Sequence, residues 1–177
     1  MVPFDVGQSI AQKKARYGRY VDSKQWSKFH EIMLHDARLD FWDIHGNVVM
    51  VGKDPLSFKS CKAFVDFFSL FLANAETLHM FGPGDLEQTS ADEVKAIWSM
   101  EDQIYLKSTN LVEIRGGGFY YETWKLKDGE WYLKSLDLKR TYTKISDTVR
   151  VSISTNMARA NILLGQRWPS EGQNVIM

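Results

Sequence analysis

Asp22, in the stretch RYVDSKQW, stands just ahead of Trp26, Phe29, Ile32 and Met33, apolar positions that recur at helical spacing. Locally it reads as a helix cap, a role typically worth ~1 kcal/mol, or as one half of a catalytic pair whose other half lies elsewhere. A carboxylate bonded to one imidazole nitrogen fixes the tautomer and raises the basicity of the other nitrogen. Such a pair removes a proton beside a carbonyl and returns it elsewhere, the central step of enolisation, dehydration or aldol closure. The chain has four histidines. His30 and His35 lie on or just after the second helical pattern and His45 in a turn, so all three read as surface residues. Their separations match no metal-ligand spacing such as His-Glu-x-x-His, and no metal site is expected. His79, in the strand-like run TLHMF, is either bonded structurally within a sheet or a base.

Further candidates lie in other strand-like runs. Glu122, in YYETW, shares a strand face with Tyr120. A carboxylate in an apolar cavity has a raised pKa and serves as a general acid; the other reading pairs it outward with a cross-strand lysine such as Lys134. Tyr120 and Tyr105 are donors suited to a developing enolate oxygen, or ordinary packing. In DARLDFW, alternation sets Leu39 and Phe41 on one face and Arg38, Asp40 and Trp42 on the other. Arg38 therefore faces away from a cavity that Phe41 faces, unless a bulge at the strand start reverses it. Phe64, Phe67, Phe68 and Phe71 form a helical stripe that is mainly core, with one or two positions available to a ligand. Trp26 and Trp98 divide in the same way.

The elements that must position these residues fit one domain. The chain has 177 residues with Lys plus Arg and Asp plus Glu both at 22, which suits a sizeable core and gives no sign of nucleic-acid or membrane-surface binding. Cys61 is the single cysteine, so no intrachain disulfide and no cysteine-based metal site can form. The N-terminus lacks an apolar signal region and FVDFFSLFLANA is too short to span a bilayer, which leads to the expectation of a soluble, cytoplasmic protein. Six Trp, seven Tyr and ten Phe supply more aromatic surface than a core alone demands and suit a hydrophobic cavity.

Helical patterns cover residues 6–21, the segment around Trp26 to Met33, and a run opening near Asp54-Pro55 and continuing through the Phe stripe. Four strand-like runs follow: TLHMF, EVKAIWSMEDQIYLK, LVEIRGGGFYYETWKLK and EWYLKSLDLKRTYTK. GPGD, STN and DG read as their turns, with Asp128-Gly129 the strongest hairpin signal. Gly116-Gly117-Gly118 inside a strand predicts a bulge or sharp bend. After Lys144 the pattern weakens; TNMARANILLG suits a short helix and the rest reads as a tail.

This order of elements, with YVDSKQW, AIWSMEDQ, GGGFYYETWKLKDGEW and the closing LDLKR, resembles the SnoaL-like polyketide cyclases of the nuclear-transport-factor-2-like superfamily, and within it scytalone dehydratase, over roughly residues 8 to 142. The resemblance implies an α+β fold, a cone-shaped barrel whose strongly curved, mostly antiparallel sheet wraps a pocket closed by three N-terminal helices. Residues 1–144 would form this domain and 145–177 a C-terminal extension acting as a lid or dimer-interface segment. It also implies a homodimer and chemistry without metal or organic cofactor. Carried over by position, Asp22 matches the aspartate that orients a catalytic histidine and His79 matches that histidine. Tyr120 replaces a pocket asparagine, Phe41 and Val21 replace two water-holding tyrosines, and Ile104-Tyr105 stand where a second histidine is expected. The acid-base pair is kept and the tyrosine-water apparatus is lost, which argues against the dehydratase's own reaction.

The sequence thus leads to a cofactor-independent isomerase, cyclase or dehydratase of secondary metabolism acting on a polycyclic or aromatic intermediate through an enol or enolate. His79 is the expected base and Asp22 its orienter, with Tyr120 and Glu122 handling oxygen and returning the proton. Arg38, Phe41, Trp26, Phe64, Trp98 and Tyr105 are the expected substrate contacts. The rival readings are a non-catalytic binding or assembly module, or an accessory subunit, of the same fold.

Overall fold

The first helix, α1 (Phe4–Asp22), follows from its spacing: Ile10, Tyr17 and Val21 fall on one buried face, and Asp5 and Arg19 complement the dipole at its two ends. In the computed structural model, which describes residues 2–106 and 113–145, it ends where Lys24 adopts a left-handed φ of 57°. The amide of Gln25 then bonds back to the Tyr20 carbonyl at 2.8 Å. The next segment, Trp26–Glu31, is a 3-10 helix rather than the expected α-helix. Trp26, Phe29 and Ile32 are three residues apart, which is the 3-10 repeat, and the chain must extend at once into a strand at Met33.

That strand, β1 (Met33–Trp42), buries Ala37, Leu39 and Phe41 on alternate positions. Residues after it form β2 (Met50–Val51) and β3 (Asp54–Pro55), a separate two-stranded ribbon, and β4 (Ser57–Phe58), which pairs with β1. The second α-helix, α2 (Cys61–Phe71), therefore opens later than Asp54-Pro55. Its cap is Ser60, whose hydroxyl accepts from the Ala63 amide at 3.1 Å. Phe64 and Phe68 of α2 nest against Phe29, Phe41 and Phe58, with ring centroids 4.8 Å apart for Phe64–Phe68 and 5.3 Å for Phe29–Phe64. This ring cluster is the centre of the core.

The four long strands are β5 (Ala75–Ser90), β6 (Glu93–Leu106), β7 (Glu113–Lys127) and β8 (Glu130–Ile145). They run as an antiparallel meander, and β1 joins its β8 edge in parallel. The order is β4-β1-β8-β7-β6-β5. The expectation of a cone-shaped barrel with a strongly curved sheet and three N-terminal helices is corrected by this topology. The sheet is open and mixed, its edge strands β4 and β5 are not bonded to one another, and α2 enters only after four strands. It remains an α+β fold. Among the described residues no helix is long and apolar enough to cross a membrane. The expected STN turn and all but the first residue of the 145–177 extension lie outside the described residues.

Glycine explains two departures from a plain meander. Gly82-Pro83-Gly84 is not a turn: β5 runs through it with a register shift between Phe81 and Gly84. In β7 the expected irregularity is present, as a register shift against β8 between Gly117 and Gly118. A Cβ on Gly118 would lie 2.2 Å from the Lys139 carbonyl oxygen, which is backbone and cannot swing aside. Gly118→Ala is therefore expected to destabilise the fold by about 2–3 kcal/mol, read as a lowered urea midpoint. Asp128 (φ 51°) and Gly129 (φ 83°) form the two-residue hairpin turn between β7 and β8, both in the left-handed region that a type I′ turn requires.

Candidate active site

Asp22 is the last residue of α1, and it caps no following helix. The N-cap of the 3-10 segment is Gln25, which makes no side-chain cap bond. The Asp22 carboxylate instead reaches β5. Oδ1 accepts from the Thr77 hydroxyl at 2.9 Å and lies 2.7 Å from His79 Nδ1, while Oδ2 accepts from the His79 backbone N–H at 2.9 Å. Thr77 and His79 are two apart on one strand, so they share a face, and β5 is the sheet edge, where a main-chain N–H can meet a side chain. Ring and backbone of His79 are thus both fixed by one carboxylate. His79 Nε2 has no hydrogen-bond partner among the described residues.

Burial works to raise the Asp22 pKa, but the hydrogen bonds and charge of His79 and the Thr77 hydroxyl outweigh it, and the carboxyl is held below its ordinary value. The stability this contributes is fully present above the ordinary carboxylate pKa, near ~4, and is lost as pH falls through the depressed folded value. Comparing urea midpoints near neutrality and in this acid range, Asp22→Asn is expected to flatten part of the acid loss seen in the unaltered chain.

His79 lines an aromatic cavity of about 110 Å³ with Tyr17, Phe41, Phe64, Phe68, Tyr120 and an ion pair, Asp102–Arg140. Strand register explains the gathering. His79 on β5 lies directly across from Asp102 on β6, and Asp102 across from Gly116 on β7. Arg140 on β8 leans into the space that Gly116 leaves: a Cβ there would lie 2.4 Å from Nη1 and 3.0 Å from Asp102 Oδ1. Nη1 and Nη2 donate to Asp102 at 2.9 and 2.5 Å, Nη1 also faces Met100 Sδ at 3.6 Å, and Nε has no acceptor among the described residues. Burial alone would lower the Arg140 pKa, but Asp102 holds it above its ordinary value. Tyr120 is fully buried, and burial followed by the Asp102 charge keeps its phenol protonated well beyond the usual range.

Glu122 is placed in a layer behind this cavity, not paired outward. Its fully buried carboxylate accepts from Lys14 Nζ at 2.5 Å, Trp98 Nε1 at 2.8 Å and Trp124 Nε1 at 2.9 Å. Lys134 bonds Glu93 instead. The Lys14 ammonium also sits 3.5 Å from the centre of the Tyr120 ring, with Phe81 and Tyr17 at 4.4 and 4.7 Å. Burial depresses the Lys14 pKa, opposed by the charge and hydrogen bond of Glu122.

Of the sequence candidates, the fold brings Asp22, His79, Tyr120, Phe41 and Phe64 together. Trp98 is spent on Glu122. Trp26 stacks on Phe29 at 5.8 Å and lines a different surface pocket. Tyr105 is exposed, near Gln103 and Glu113. A bulge does interrupt β1 between Met33 and Arg38, yet Arg38 stays exposed, opposite the Phe41 face. Asp102 and Arg140 were not singled out from the sequence. Their signal was available in alternation, since Asp102 shares a face with Trp98 and Met100, and Arg140 with Leu136 and Leu138. No cluster of three or more His, Cys, Asp or Glu side chains fit to hold a metal is present among the described residues.

Residues 7–137 match the SnoaL-like domain model. The chain is 38% identical over 137 residues to a Gibberella zeae protein named Probable cyclase FGR4, covering 77% of this chain and 91% of that one. Among solved structures, one named Putative Scytalone Dehydratase from Novosphingobium aromaticivorans superposes with a TM-score of 0.65 at 14% identity, covering 77% of this chain and 85% of the other. The hexachlorocyclohexane dehydrochlorinase LinA-type3 from Novosphingobium barchaimii gives 0.61 at 18% identity, covering 79% and 87%. At these identities the solved structures speak for the fold alone.

Proposed function

The chain belongs to the SnoaL-like family, within the nuclear-transport-factor-2-like superfamily, and from that premise we propose that it is an enzyme of natural-product metabolism working without a cofactor. It isomerises, cyclises or dehydrates a polycyclic or aromatic intermediate through an enol or enolate. The observation that carries this reading is the His79 ring, fixed on Asp22 through Nδ1 at 2.7 Å while lining the cavity that Tyr120 and Arg140 also line.

In this mechanism Nε2 of His79 takes a proton from a carbon beside a carbonyl. The C–H electron pair moves into the new C=C bond and the carbonyl pair onto oxygen, where the Tyr120 hydroxyl and the Arg140 N–H groups stabilise the charge. Asp22 steadies the imidazolium that forms, and the same Nε2–H returns the proton at another carbon or to a leaving hydroxyl. Glu122, spent on three donors, holds Tyr120's surroundings rather than returning protons. The cavity of about 110 Å³ is smaller than the ~150 Å³ void that encloses a benzene. A substrate ring that reaches His79 therefore needs the aromatic wall to give, and a polycyclic substrate extends beyond the cavity; the half-exposed Phe71 marks where its lining meets solvent.

The test is deuterium uptake from heavy water into a small cyclic enone, followed by proton NMR. The chain is expected to accelerate exchange, and His79→Ala and Asp22→Asn to suppress it. Unchanged exchange in both variants would overturn the assignment of His79 and Asp22, and no acceleration by the unaltered chain, with the enone still bound, would favour a non-catalytic binding module instead.

A further inference from the structure

Arg140 is the one lysine or arginine among the described residues that line the cavity, and a lone guanidinium at an apolar cavity wall is a site for a carboxylate or phenolate. Asp102 changes that. It is 3% exposed, lines the same cavity, sits directly across the sheet from His79, and engages both terminal nitrogens of Arg140. Of the buried lysines, Lys14 is consumed by Glu122 behind the Tyr120 ring and Lys13 pairs with Glu130. Around the cavity Arg140 is bonded to Asp102, and the Asp22 carboxylate is bonded to His79. Arg140 therefore has no unpaired charge to offer an anion, which would also meet the Asp102 carboxylate at close range. A neutral carbonyl loses nothing by this arrangement, because the Arg140 Nε–H has no acceptor among the described residues and the Tyr120 hydroxyl stays protonated.

We infer that Asp102 is a specificity-determining residue: by pairing with Arg140 it makes the site accept a neutral, carbonyl-bearing ring and refuse an anionic one. The inference rests on the proposed site being this cavity and names its substrate class, a ketone, enone or quinone-like ring entering uncharged. Gly116 is part of the device, because a Cβ there would lie 2.4 Å from Arg140 Nη1 and push the guanidinium from its place beside Asp102.

Benzamide and benzoate test it, being of one shape and differing in charge. Binding to the full chain is measured by titration calorimetry, with chemical-shift changes at His79 locating the probe. The unaltered chain is expected to bind benzamide at His79 at least about tenfold tighter than benzoate, and Asp102→Asn to reverse the preference by a similar factor or more, since an unpaired charge near ~4 Å easily supplies it. Preference for benzoate in the unaltered chain, binding of neither probe there, or an Asp102→Asn chain with unchanged preference would each overturn the inference. Should Asp102→Asn not fold, Gly116→Ala parts the pair by pressing on Nη1 and is expected to narrow the preference at least about threefold; no narrowing would overturn it. These measurements need no turnover. A charge preference that holds while the enone exchange fails would sink the catalytic reading and leave the charge filter standing.

Discussion

Replacing His79 with alanine is expected to slow enone deuterium exchange by about 10²–10⁴-fold, the range a positioned general base contributes. Binding of benzamide should change little, because Tyr120, Arg140 and the aromatic wall remain. Asp22→Asn should give a large part of the same loss. An asparagine offers its amide N–H₂ as well as its oxygen to the ring, so Nδ1 can accept rather than donate, which places the proton on Nε2 and removes the free lone pair. It also forfeits the anion that steadies the imidazolium. The two effects should not add. Asp22 acts only through His79, so the double variant is expected to match His79→Ala alone. Additive losses would mean that Asp22 works by some route other than orienting the ring.

Lys14→Met is expected to destabilise the chain by about 3–5 kcal/mol, the usual cost of leaving one partner of a buried ion pair uncompensated. Whole domains are typically stable by only ~5–15 kcal/mol, so this change alone should move the urea midpoint far. The site is closed to repair by water, since the Lys14 and Glu122 side chains are 2% and 0% exposed. Adding Glu122→Gln should recover most of the loss. The glutamine oxygen still accepts from Trp98 and Trp124, and methionine fills the ring cage that the lysine stem occupied. Should the double variant remain as unstable as the single, the ring contacts of the ammonium, not its pairing with Glu122, would be the main stabilising element.

What the sequence disclosed, and what it withheld, follows the range of each physical signal. Local periodicity placed α1, the strand alternation of β1 and the Asp128-Gly129 hairpin, because each depends on neighbours within a few positions. The same alternation set Tyr120 and Glu122 on one strand face, without deciding that this face is the inward one, and turned Arg38 away from Phe41. It could not say that α1 would bring the Lys14 amine onto Glu122, 108 positions away, because in QKKAR that lysine looks like part of a solvated charge run. The partnership of Asp22 and His79 was legible only through the family resemblance; α1 packing against β5 makes it, and no local pattern encodes that contact. Gly82-Pro83-Gly84 imitates a turn so well that the continuity of β5 was hidden. Closure of the sheet was wrongly expected because it depends on whether β4 and β5 meet, and β4 is only two residues long. Asp102 and Arg140 sat in plain alternation, but their significance needs Gly116 to be read as an absence that another strand's side chain fills.

In the proposed mechanism Asp22 holds His79 with Nε2 open toward the cavity, ready to take a proton. Histidine ¹⁵N–¹H correlation spectra of the full chain near ~pH 8, where an ordinary imidazole is neutral, test it most directly. The expected result is a His79 ring protonated at Nδ1, with an unprotonated Nε2 whose resonance shifts on adding a cyclic enone. A ring protonated at Nε2, or an Nε2 indifferent to the enone, would contradict it.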